Sequence, residues 1–364
     1  MAGNEERYRQ AAEAAGPPRP KAPRPIVILG AGGIVRAAHL PAYAKADFPV
    51  IAIADNASGK AAELASQKGI ARGFDSIEEA VRFAPADAIF DIAVPATQIM
   101  TILPQLPSGA AVLIQKPMGE TFEEARAIRD HCRQRGLIAA VNFQLRYAPN
   151  NLAAVALQQA GLLGEIHDME VQVRTYTPWK LWTFLATAPR LEILYHSIHY
   201  LDLIRSWLGN PLGVYAKTVK NPQSGSLAAT KSSIILDYGE QKRVFVVTNH
   251  GHDLPPETHR SFVQWEGTGG AIRMDMGVNL DYPKGVPDTL SYAERGLPNG
   301  QWKTLPVKGS WFPDAFIGSM GALQCYVEGS SSQLPIGFES AYETMALVEA
   351  AYSSSARQAE PLPL

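Results

Sequence analysis

The chain has 364 residues, 46% hydrophobic and 19% charged, which is enough to build two sizeable cores. Its formal net charge of −2 leaves no basic footprint for nucleic acid or an anionic membrane, and no apolar run approaches membrane-spanning length. Cys132 and Cys325 lie far apart in no metal-like spacing, which excludes a disulfide framework and fits a reducing compartment.

Residues 1–24 begin polar and alanine-rich, without the apolar core of a secretion signal, so a cytoplasmic location is expected. They end in the proline-rich run 16–25, which cannot be a regular helix or strand. The expectation is a flexible leader; the alternative is an arm packed on a neighbouring subunit.

From residue 25 onward short apolar runs alternate with helical segments. Ile26 to Leu29 reads as a buried parallel strand, followed by Gly30, Gly32 and Gly33 and then a helix over Ile34 to Tyr43. Strand, glycine turn and helix form the context of a dinucleotide fingerprint. Gly30 allows the tight turn. Gly32 lets a pyrophosphate approach the backbone, and the helix start offers free N–H groups to it. Val35 stands where the pattern carries its third glycine. The next strand, Val50 to Ala54, ends in Asp55, about 20 residues beyond the glycines, where a carboxylate meets the adenosine ribose. Asp55 followed by Asn56 favours NAD over NADP; Lys60 keeps NADP open.

Further units follow: a helix over 57–67, a strand over 70–74, a Ser76-capped helix to Phe83, and a strand from Ala88 to Val94 stopped by Pro95. Then come a helix over 97–106, a strand from Ala110 running into Gln115-Lys116-Pro117, a helix capped by Thr121 and a strand over 137–143. Repeated units of this length imply an α/β doubly wound parallel sheet with ligands beyond the carboxyl ends of its strands. That rule collects Gly30–Gly33, Asp55, Pro95–Thr97, Gln115–Pro117 and Asn142–Gln144 on one rim.

After about residue 150 the rhythm changes. A helix over 150–160 and an alternating strand over 166–176 precede an aromatic loop with Trp179 and Trp182. His196 to Leu208 reads as an amphipathic helix. Strands are expected over 213–218, 232–238, 243–249, 261–265, 270–274 and 289–293, then helices over 313–328 and 338–354. The expected domains are therefore 25–147, a second α+β domain over 148–337 with a large, mostly antiparallel sheet, and a C-terminal helix and tail over 338–364.

Lys116 ends an apolar strand on the rim, where it can hydrogen-bond a substrate hydroxyl; partial burial would lower its pKa. An ordinary strand-end lysine is the alternative. His196 and His199 share a helix face after Tyr195 and can accept a hydroxyl proton, or can simply pack a helix start. No carboxylate or cysteine groups with them, so no metal is expected. His250 and His252 read as a loop pair, and the role of His39 stays open. Trp179 and Trp182 can wall a sugar or pack. Gln144 and Arg146 reach a substrate or the nicotinamide amide, or fix the domain junction.

With these residues in place the chain resembles the glucose-fructose oxidoreductase / inositol dehydrogenase / MocA family over about residues 25–356. The resemblance rests on Gly30-Ala-Gly-Gly-Ile34, the Asp55 strand, Val94-Pro95, Gln115-Lys116-Pro117, Asn142-Phe-Gln-Leu-Arg-Tyr147, His199-Tyr-Leu-Asp-Leu203 with Trp207-Leu-Gly209, and Glu266-Gly-Thr-Gly-Gly270. It implies a Rossmann domain that binds NAD or NADP through Gly30, Gly32, Gly33, Ile34, Asp55, Asn56, Pro95, Thr97, Gln115 and Lys116. It also implies hydride transfer between a sugar or polyol carbon and nicotinamide, with Lys116 as the family's catalytic lysine and His199 as acid/base. Gln115 stands where the family has glutamate, Tyr195 where it has aspartate, Arg190-Leu-Glu192 where it has glycines and Ile99 where it often has histidine. Tyr195 or His196 is expected to take the aspartate's role. The rival expectations are an NAD-dependent redox-neutral glycosidase and a non-catalytic NAD- and sugar-binding regulator. A homodimer or homotetramer paired through the large sheet is expected.

Overall fold

The structure is a computed structural model that describes residues 2–296 and 301–363. The chain divides into two compact units, one of Pro17–Ala148 with Phe312–Met345, the other of Met1–Gly16, Pro149–Trp311 and Ala346–Leu364.

The expected flexible leader is instead helix α1 (Ala2–Ala14). Its anchor is Tyr8, buried, stacked on Tyr292 with ring centroids 3.9 Å apart, and donating to Leu162 O at 3.1 Å. The proline run is also tied down, within the first unit. Ala22 N–H donates to Glu328 Oε1, Arg24 N–H to Gln324 Oε1, and Gln324 Nε2 back to Arg24 O. A run without its own ladder bonds is thus satisfied by side chains.

The first unit holds strands β1 (Ile26–Leu29), β2 (Val50–Ala54), β3 (Arg72–Phe74), β4 (Ile89–Ile92), β5 (Ala111–Ile114) and β6 (Ile138–Val141). They form a six-stranded sheet, all pairs parallel, in the order β3-β2-β1-β4-β5-β6, the Rossmann order. β1, β4 and β5 are buried along their whole length, which is why their sequences are unbroken or nearly unbroken apolar runs. The order reverses between β1 and β4, so their carboxyl ends open a crevice there. The helix after the glycines passes through a π turn, Val35–His39, before α2 (Leu40–Lys45). Pro41, just beyond, has no N–H for the regular ladder, and the wider turn lies where that bond is missing. The next helix, α3 (Lys60–Lys68), starts later than expected. Asp55 accepts the Ala57 N–H and Asp75 the Gly59 N–H, so a side-chain-capped turn stands first.

Among the remaining helices, α4 (Ile77–Phe83) and α6 (Phe122–Arg135) are capped by the Ser76 and Thr121 hydroxyls, while α5 is reduced to Ile99–Ile102 between short 3-10 turns.

The second unit holds α7 (Pro149–Gln159), β7 (Ile166–Arg174), α8 (Ile198–Leu208) and strands β8 (Gly213–Val219), β9 (Lys231–Asp237), β10 (Arg243–Asn249), β11 (Arg260–Gly267), β12 (Gly270–Asp275), β13 (Thr289–Glu294) and β14 (Lys303–Leu305). The eight strands form one sheet in the order β14-β13-β12-β11-β7-β10-β9-β8. Every pair is antiparallel except β7 with β10. One face is the core: Met169, Val171, Val173, Val244, Val246, Val263, Trp265, Ile272, Met274, Leu290 and Tyr292 are all buried. Trp207 of α8 lies against Trp265, ring centroids 4.9 Å apart.

The expected unbroken second domain is interrupted. After residue 311 the chain rejoins the first unit through α9 (Ala315–Glu328), whose residues Ala315 to Cys325 are all buried. Gly318 is needed there because a Cβ would run into the Tyr147 ring. Helix α10 (Phe338–Ala356) ends the fold.

Candidate active site

The carboxyl rim of the parallel sheet carries the candidate coenzyme residues. Gly30 has φ +120°, and a Cβ there would strike Ala93 O of the neighbouring turn. At Gly32 and Gly33 no described atom lies within 4 Å of a would-be Cβ, so the loop backbone can be approached closely. Asp55 Oδ2 accepts the Ala31 N–H at 2.8 Å, which ties the end of β2 to the glycine loop. Lys60 Nζ sits 2.9 Å from the same oxygen. Burial raises the Asp55 pKa, but the Ala57 and Ala31 N–H groups and Lys60 outweigh it and hold the carboxyl below its ordinary range. Pro95 leads into the 3-10 turn Ala96–Gln98, with Thr97 exposed; Ile34 is partly exposed and Asn56 exposed. These residues fit a dinucleotide: an open glycine loop, a helix start and an ionised carboxylate with lone pairs to spare.

Gln115 and Lys116 follow β5. The Gln115 side chain is fixed by Asn142, whose Nδ2 donates to Gln115 Oε1 at 2.8 Å, and Asn142 Oδ1 accepts from Ser319 Oγ at 2.6 Å. Lys116 precedes a cis proline and keeps some exposed surface while protein surrounds its amine. Burial lowers its pKa to about 7. A neutral Gln115 amide beside it adds no negative charge to oppose that fall. Gln144 is buried in a 3-10 turn. Arg146 donates to Pro335 O at 3.0 Å and to Ser340 Oγ at 3.4 Å, tying that turn to the stretch before α10 and to the first turn of α10.

His39 is not on the rim surface. It is fully buried, its Nδ1 2.7 Å from Asp91 Oδ2, and Tyr43 OH donates to that oxygen at 2.7 Å. The triad joins the coenzyme helix to β4 and serves the fold.

In the other unit, the segment before α8 is a second π turn, Ile193–Ser197. π turns recur at functional sites. His199 is buried with Trp311 edge-on, ring centroids 5.5 Å apart. Tyr195 meets Phe184, whereas His196 meets Trp179 and His250, at 4.9 and 4.2 Å between centroids. Trp182 lies against Tyr282 at 5.1 Å. The structure therefore separates the two aromatic residues of the loop: Trp179 joins the histidines and Trp182 does not.

The loop pair expected at His250 and His252 is also separated. His250 is 1% exposed, its Nδ1 2.9 Å from Thr177 Oγ1 and its Nε2 3.6 Å from Glu192 Oε1. His252 pairs with Thr258 nearer the surface. Neither Glu192, noted only as replacing the family's glycines, nor His250, expected in a loop pair, was read as part of a buried cluster. Glu192 precedes His196 by one helical turn, the spacing that could have drawn attention to it. Among the described residues no group of His, Cys, Asp and Glu could hold a metal ion, and no helix is long and apolar enough to cross a membrane.

Comparison with known proteins places this geometry. Residues 24–143 match the model of GFO_IDH_MocA, an oxidoreductase family with an NAD-binding Rossmann fold. Over those residues the chain is similar to this family. It is 26% identical to D-glucoside 3-dehydrogenase of Escherichia coli strain K12, over 52% of this chain and 55% of that one. It is 24% identical to D-xylose 1-dehydrogenase (NADP(+)) 2 of Haloferax volcanii, over 74% and 80%. The matched stretch thus spans about half of the first relative's length. In fold the chain is similar to an oxidoreductase from Agrobacterium radiobacter solved with NAD+, L-tartaric acid and magnesium, with a TM-score of 0.76, 20% identity, and 92% and 97% of the two chains covered.

Proposed function

We propose that the protein is an NAD(P)-dependent oxidoreductase that moves hydride between a hydroxyl-bearing carbon of a sugar or polyol and nicotinamide. The observation that carries this is Lys116: an amine with a pKa of about 7, held at the end of β5 on the rim of an NAD-binding fold. The names of the relatives, dehydrogenases of a glucoside and of xylose, support a sugar as substrate.

NAD bound at Gly30–Gly33, Asp55, Asn56, Pro95 and Thr97 supplies the hydride acceptor. Asp55 accepts the ribose hydroxyls; Lys60 beside it supplies a cation that tolerates the extra phosphate of NADP. Lys116 donates a hydrogen bond to the substrate hydroxyl and orients it, and near neutral pH it exchanges that proton at low cost. The family resemblance assigns the acid/base role to His199, with His196 and Tyr195 the neighbouring groups at the start of the same helix. Trp179 offers a flat apolar ring beside His196 to cover the C–H face of a sugar. The test is a panel of sugars and polyols with NAD and NADP, followed by absorbance of the reduced nicotinamide. At least one substrate should give reduced coenzyme continuously; a panel in which none does defeats the proposal.

The outer face of the large sheet carries Tyr215, Ile235 and Phe245, aligned across β8, β9 and β10 by register. Tyr215 and Ile235 are 65% and 53% exposed, more than an isolated sheet face needs to show. A second copy of the chain pairing through this face accounts for it.

A further inference from the structure

The parallel sheet divides into two mononucleotide-binding halves about the crevice between β1 and β4. Asp55 belongs to the half of β1, β2 and β3, where a carboxylate meets the adenosine ribose. The nicotinamide end of a dinucleotide then falls to the carboxyl ends of β4, β5 and β6. Gln115 follows β5, the middle strand of that half. Its N–H donates to Ile92 O at 2.8 Å, and the Asn142 N–H donates to Ile114 O at 2.8 Å, so both residues extend the ladder just past the strand ends. Gln115 keeps part of its surface exposed, whereas Asn142 and Ser319 are buried. Their side chains form a row. Ser319 Oγ, on α9, donates to Asn142 Oδ1 at 2.6 Å, and Asn142 Nδ2 donates to Gln115 Oε1 at 2.8 Å. All three residues belong to one compact unit. The row is uncharged, and it asks of position 115 only an acceptor oxygen. A carboxylate there would accept the same bond from Asn142. The network therefore fixes where the side chain sits and leaves its charge as the variable.

We propose that Gln115 is a specificity-determining residue that makes this rim favour the reduced coenzyme over the oxidised one. The proposal deepens the oxidoreductase reading above and rests on it. The two forms of the coenzyme share every group except the nicotinamide ring, which carries a positive charge when oxidised and none when reduced. A carboxylate at position 115 would attract the oxidised ring alone; the amide offers that attraction to neither form. Other charged groups of this half are Lys116, the next residue, and Asp91 of β4, whose Oδ2 faces His39 and Tyr43. They are common to the native chain and to the variants below, so the ratio of the two affinities isolates residue 115. A rim that holds the hydride donor best suits a reaction run towards reduction of a carbonyl.

The test measures, by calorimetry on the full chain, dissociation constants for the oxidised and reduced forms of NAD and NADP in the native protein, Gln115→Glu and Gln115→Met. At pH 6, below the Lys116 value of about 7, that amine is protonated in the native chain and, beside a carboxylate, more fully so in Gln115→Glu. The reduced form should bind the native chain more tightly than the oxidised form. In Gln115→Glu the ratio of the oxidised to the reduced dissociation constant should fall about tenfold. Gln115→Met, neutral and without the Asn142 bond, should weaken both forms alike and leave the ratio within about twofold of native. A ratio unmoved in Gln115→Glu overturns the proposal. So does a ratio that falls as far in Gln115→Met, because loss of the bond and not the charge would then be the cause. If Gln115→Glu does not fold, the native chain decides: an oxidised form bound as tightly as the reduced one overturns the proposal. A native chain that binds neither coenzyme defeats the oxidoreductase reading and this inference together, whereas binding of both forms with an unmoved ratio defeats this inference alone.

Discussion

Lys116 shows how one position is tuned by its neighbour. Desolvation pulls its pKa from an ordinary 10.5 to about 7, and Gln115 beside it is neutral and locked by Asn142. Replacing Gln115 by Glu would set a carboxylate beside the amine and favour its charged form. The pH–rate profile of Gln115→Glu should therefore have its Lys116 inflection moved upward by about one unit or more from near 7; an inflection that stays put would mean the lysine does not govern the profile. The same shift has a stability consequence. Between about 7 and 10.5 the folded chain holds fewer protons at Lys116 than the unfolded chain. Stability relative to Lys116→Met should accordingly rise as pH increases through that window, and urea midpoints at either end would show it. At this scale the places of Gly30, Asp55 and Lys116, just beyond β1, β2 and β5, were legible because each follows a short apolar strand. The sequence was a poor guide to Glu192, His250 and His39, whose roles depend on partners distant in the chain or on burial.

At the scale of elements, legibility followed burial on both faces. β1, β4 and β5 were plain because strands buried on two sides read as short apolar runs. Three-residue β14 has too little pattern to be seen, and α1 was missed because its composition is polar and only Tyr8 and Ala12 among its described apolar residues are buried. The hold of Tyr8 can be measured. Tyr8→Ala removes the stack on Tyr292 and the bond to Leu162 O, and should destabilise the chain by about 3 kcal/mol. Tyr8→Phe keeps the stack and should lose only about 1 kcal/mol. If Tyr8→Ala unfolds at the native urea concentration, α1 contributes nothing to stability. The two π turns, at Val35–His39 and Ile193–Ser197, were outside the reach of a 3.6-residue pattern, yet both sit in segments that carry candidate site residues.

For the whole molecule, the alternation of strands and helices followed by a run of strands identified a Rossmann sheet and a large antiparallel sheet. What it could not give was the return of Phe312–Met345 to the first unit, because an apolar helix does not announce which core it will join. If the Tyr215–Ile235–Phe245 face pairs with a second copy, light scattering at micromolar concentration should give at least twice the 39.4 kDa chain mass, and Ile235→Lys should shift the protein toward monomer. A wild-type monomer would remove that interface. The central claim is that Lys116 handles the substrate hydroxyl on an NAD-binding rim. Its most direct measurement is the rate of sugar-dependent coenzyme reduction by Lys116→Ala, alongside the affinity of the same variant for NAD. The expected result is a rate lower by about a hundredfold or more with NAD binding retained; an unchanged rate would contradict the account.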